Sequence, residues 1–86
     1  MAKIIDCALH DYIEVACIYG YRVSVTLTSG SVYVGKPLTT VTEPGPREFL
    51  HFQQEGEPIV EQKIPLDELH TMTALNPGAL FDTITF

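Results

Sequence analysis

The side chains capable of acid–base, nucleophilic or metal chemistry are few, and their spacing works against them. His10 and Asp11 are neighbours. On a helix, neighbouring side chains diverge by about 100°, which keeps them from forming a base and its orienting partner. The three histidines stand at 10, 51 and 70 with no C-x-x-C beside them, so the spacing of a zinc site is missing. Ser24, Ser29 and Ser31 lie in no nucleophile-elbow sequence, and no Walker or G-x-G-x-x-G stretch occurs. Asp67-Glu68 and the Glu55/Glu57 pair read as solvated turn carboxylates, and His70 as a surface or satisfied core residue. These residues predict no enzyme, no cofactor and no metal site.

Cys7 and Cys17 are the only cysteines. Two are too few for a disulfide framework. If both sit on one helix, ten residues at about 1.5 Å each put their Cα atoms about 15 Å apart. A disulfide needs less than ~7 Å, so two reduced thiols are expected.

The chain has 86 residues, of which 45% are hydrophobic and 19% charged, values typical of a folded domain. The expectation is one domain over 1–86. Eleven acids against five bases give a net charge of −6. That sign repels a phosphate backbone, so direct nucleic-acid binding is not expected. No apolar run approaches the ~20 residues of a membrane span, and the start resembles no signal peptide. The reading is a soluble, cytoplasmic protein.

The elements follow from periodicity. Asp6 can cap a helix that Gly20 stops. Within it Leu9, Ile13, Ala16 and Cys17 share one face about 100° wide. After Gly20 the period becomes two: Val23, Val25 and Leu27 alternate with polar residues. Ser29-Gly30 turns the chain, and Val32, Val34 and Leu38 are expected to continue the apolar face on the way back. Gly35 marks a bend or bulge, and Pro37 an edge or the bulge itself. Glu43-Pro44-Gly45-Pro46 is a loop. Strands are expected again around Phe49–Phe52, Ile59–Ile64, Leu66–Leu75 and Leu80–Phe86. The fold class is mainly β: a small curled antiparallel barrel or sandwich of five to six strands with one N-terminal α-helix.

The helix carries the main functional signal. Val15 and Ile18 fall on the side of Asp11 and Glu14, away from the apolar stripe. Apolar groups set among carboxylates suit a docking face, because the anchors supply area and the charges steer a basic partner. The plainer reading places Ile18 past the helix end and inside, with Val15 simply exposed.

The run Val23-x-Val25-x-Leu27-x-x-Gly30, followed by Gly35, resembles the first Sm motif. A second Sm motif is absent, since no basic residue followed by Gly occurs near Ile64–Leu75. The helix motif is more specific. Cys7, Asp11, Ile13, Glu14, Val15, Ala16 and Cys17, joined to the Val25-x-Leu27-x-x-Gly30 hairpin, Glu48-Phe49-Leu50 and Leu66-Asp67, resemble the Rho-binding antiterminator family (Rof, or YaeO) across about residues 4–78. That resemblance implies an Sm-like fold that binds the Rho hexamer, blocks its primary RNA-binding site and inhibits termination without catalysis. Asp11 and Glu14 carry over as contact residues, beside Val15 and Ile18. Glu43, Arg47 and Glu48 are added from the following loop. A free monomer is expected, and an Sm-like RNA-binding ring is the rival.

Overall fold

Helix α1 (Cys7–Tyr19) ends in two backbone hydrogen bonds that use the freedom of glycine. Gly20 takes a left-handed φ of 64°. Its N–H donates to the Cys17 carbonyl at 3.3 Å, and the Tyr21 N–H donates to Ala16 at 3.0 Å. This pairing is the Schellman arrangement, which satisfies carbonyls that the helix would otherwise leave open. The structure, a computed structural model, describes residues 7–86. The Asp6 cap falls outside the described residues.

Six strands follow: β1 (Val23–Leu27), β2 (Val32–Glu43), β3 (Arg47–Gln54), β4 (Val60–Pro65), β5 (Leu69–Ala74) and β6 (Thr83–Thr85). They form one antiparallel sheet in the order β4-β3-β2-β1-β5-β6. The mainly β architecture with an N-terminal helix is therefore as expected from the sequence. Closure into a barrel is not: β4 and β6 are the two ends of the sheet and do not pair. The outer edge of β5 is taken by β6 instead of being offered to β4.

The bend in β2 curls the sheet. Its first part pairs with β1 as far as Gly35, and from Gly35 onward it pairs with β3. At the crossover a side chain has no room. A Cβ on Gly35 would be driven into the Gln53 carbonyl oxygen and would sit 2.9 Å from the Gln54 Cα. Two residues on, the β2–β3 register shifts between Pro37 and Thr39, leaving Leu38 as the bulged residue. The bulge absorbs a buried proline, which has no N–H to give the ladder.

Two expectations about strands need correction. Val23 and Val25 face the core opposite Gly35 and Tyr33. Val32 is therefore exposed and Val34 only half-buried, because the return strand is one residue out of the expected phase. The Leu66–Leu75 stretch is not one strand. Leu66–Glu68 forms a 3-10 turn before β5, and the Glu68 carbonyl accepts from the Thr28 N–H at 2.8 Å.

The core joins Ile13 and Ala16 of the helix to Val23, Val25, Leu50, Phe52, Ile64, Leu69 and Met72 of the sheet, with Phe81 and Ile84 closing it. Leu9 and Cys17 are half-buried against its margin, as their helix positions predict. The helix lies over β2. Rings tie it further: Tyr12 meets Phe81 edge-on at 5.5 Å, and Tyr21 meets the same ring at 5.8 Å.

Candidate functional site

The solvent side of α1 carries Asp11, Glu14 and Ile18. Among the described residues neither carboxylate has an ion-pair partner. Ile18 is 76% exposed, a large apolar side chain left in water within the helix. The plainer reading of Ile18, packed inside beyond the helix end, is thus excluded. Val15 goes the other way. It is half-buried against the core, because its position on the helix faces the seam with the sheet rather than open water.

Charge placement sharpens this picture. Of the eight other acids among the described residues, Glu43, Glu55, Asp67 and Glu68 are matched by the chain's own lysines and arginines. The Arg22 guanidinium holds Glu55, with Nη2 donating to Oε2 at 2.9 Å. That pairing holds the Glu55 carboxyl below its usual range. Arg47 donates to Asp67 and to Glu68, each at 3.1 Å. Lys63 binds Glu43. Both cations also sit over the Phe49 ring, at 5.4 Å for Arg47 and 4.7 Å for Lys63. Three of the four cations among the described residues are thereby engaged within the chain.

The loop residues divide into two groups. Strand alternation puts Glu48 on the same side as Leu50 and Phe52, the side the helix covers. There the Glu48 carboxylate lies 3.6 Å from His10 Nε2, which brings it beside the helix and toward Asp11 and Glu14. Arg47 and Glu43 pair across the β2–β3 turn, but their side chains join the Phe49, Lys63, Asp67 and Glu68 cluster. The structure brings Glu48 to the helix surface and assigns Glu43 and Arg47 to this cluster.

Sequence reasoning overlooked the other wall of the site. Between α1 and β2 lies an open groove of about 310 Å³ lined by Glu14, Cys17, Ile18, Leu38, Thr39 and Thr40. Leu38, the residue at the register shift of β2, forms part of its wall. A second cleft of about 230 Å³ lies on the other side of Leu38, against His51, Glu61, Gln62 and Lys63. The Pro37–Leu38 pair next to Gly35 was the available signal, but it fixes the bulge without saying what the helix lays beside it. Burial, reinforced by the Glu14 carboxylate, pushes the Cys17 thiol up to about 11. The groove therefore carries a thiol held in its protonated form and one carboxylate, that of Glu14.

No three His, Cys, Asp or Glu side chains among the described residues converge as a metal site. Nor is any described helix long and apolar enough to cross a membrane. The described surface offers carboxylates, an exposed isoleucine and a groove beside them.

Comparison with known proteins agrees with this character. The family model described as "Modulator of Rho-dependent transcription termination (ROF)" matches residues 4–86. No curated protein matches. A solved structure, "YaeO bound to Magnesium from Vibrio cholerae O395", is 30% identical to the chain. The alignment covers 98% of this chain and 99% of that one, with a TM-score of 0.77.

Proposed function

The chain belongs to the ROF family of non-enzymatic modulators of Rho-dependent transcription termination, and on that footing we propose that it binds Rho over the primary RNA-binding site and keeps RNA out. The observation that carries this reading is the pair Asp11 and Glu14. Both are exposed beside Ile18 and lack an ion-pair partner among the described residues, in a chain whose cations are mostly spent on its own acids.

A surface that grips RNA phosphate is cationic. A domain of net charge −6 is drawn to such a surface and can occupy it with carboxylates and apolar area in place of nucleic acid. Glu48, beside His10, extends the acidic surface, while half-buried Val15 packs against the core. Glu43 and Arg47 act at the margin, where their internal pairs hold the β2–β3 turn in shape. The protein works as a free monomer in the cytoplasm, where transcription occurs, and needs no cofactor or RNA ligand of its own. The committed cations also weigh against the rival RNA-binding ring, which needs a basic pore.

The test is a termination assay with purified Rho and the double variant Asp11→Lys/Glu14→Lys. Inhibition is expected to disappear while the thermal unfolding midpoint stays at the wild-type value. Removing a desolvated charge contact costs about 2–5 kcal/mol of binding, and reversing two costs at least that. Wild-type inhibition by the double variant would refute the reading, as would tight RNA binding by a chain that ignores Rho.

A further inference from the structure

We propose that the groove between α1 and β2 receives one lysine or arginine side chain of Rho, its aliphatic stem between Ile18 and Leu38 and its cationic head at Glu14. This rests on the reading above and adds to it a second wall, on the β2 bulge, that the helix face alone does not supply.

The lining selects the occupant. Ile18 and Leu38 are 76% and 41% exposed, so both have apolar area left to cover. They stand on separate elements with the opening between them. Glu14 is the one ionised side chain of the lining, and among the described residues nothing in the chain pairs with it. A wholly apolar plug would strip water from that carboxylate and return nothing for it. A carboxylate or an RNA phosphate would be repelled by it. A side chain that is apolar along its length and positive at its tip satisfies both features together. The Thr39 and Thr40 oxygens add acceptors for a head group with several N–H donors. Leu38 is the bulged residue of β2, beside Thr39 and Thr40 in the lining, and supplies the wall that faces Ile18.

The experiment measures the affinity of purified Rho for the wild-type chain, Glu14→Gln, Leu38→Ala, the double variant, Leu38→Met, and Asp11→Lys as a control for the helix face. Far-UV circular dichroism checks each fold; Leu38 lies outside the core, so Leu38→Ala is expected to fold normally. Glu14→Gln and Leu38→Ala are each expected to weaken binding about tenfold. The double variant is expected to lose much less than the product of the two, because stem and head belong to one bound side chain. Leu38→Met, which keeps an apolar wall, is expected to bind nearly as wild type. Glu14→Gln alone is expected to flatten the salt dependence. Independent, multiplying effects would overturn the proposal. So would wild-type affinity of Leu38→Ala while Asp11→Lys binds poorly, a result that leaves the helix-face reading standing. Wild-type affinity for all variants, Asp11→Lys included, would bring down both.

Discussion

Gly35 is the residue on which the curvature of the molecule turns. Its missing side chain lets the backbones of β2 and β3 approach where the long strand changes partners. Gly35→Ala must push the Gln53–Gln54 segment away, and backbone gives way less readily than a flexible side-chain tip. A loss of about 1–3 kcal/mol or more is expected, read from the urea midpoint. Mid-strand glycine made this position legible in the sequence. The environment of Val15 was not legible. Helical spacing places Val15 and Glu14 about 100° apart, and which of them meets the sheet depends on how the helix is rolled over β2. Ile13 and Ala16 fix that roll by entering the core, and it leaves Val15 half-buried while Ile18 stays in water.

Among the elements, α1 separates two tasks by face. Ile13 has no exposed surface and belongs to the core, so Ile13→Ala is expected to cost about 2–5 kcal/mol of stability. Ile18→Ala, on the opposite side, is expected to leave stability within about 0.5 kcal/mol while weakening Rho binding. Denaturation curves and a Rho affinity measurement on the two variants would display the division. The helix, its glycine stop and the alternating β1 were all readable from hydrophobic period. The phase of β2 was not. Its valines suggest an inward face, yet register with β1 turns Tyr33, Gly35 and Pro37 inward. A strand with aliphatic residues on both faces is placed by its partners, and partners are a property of the sheet. The break at Leu66–Glu68 was hidden for the same reason, since the Thr28 N–H that donates to the Glu68 carbonyl lies far away in the chain.

At the scale of the whole molecule, the balance of charge is divided unevenly over the surface. Arg22, Arg47 and Lys63 are gathered into pairs with Glu55, Glu43, Asp67 and Glu68, and none of these three bases reaches Asp11 or Glu14 on the helix. The sequence disclosed the excess of acids but not this allocation, because each pair joins strands or turns brought together by the fold. Family membership came from the helix motif read together with the hairpin, and the match over 4–86 spans both.

The last strand has a consequence for how these molecules behave in company. The three residues of β6 pair with Thr71–Thr73, and flanking bonds from Ala74 to Asp82 and from Phe86 to His70 extend the seam at both ends. Remove residues 79–86 and the chain would bare the peptide donors and acceptors along the outer edge of β5 as well as the core that Phe81 and Ile84 cover. Light scattering is expected to find such a truncated chain self-associating, with the full chain staying single. So small a strand acts as a bookend for the sheet, covering the edge of β5.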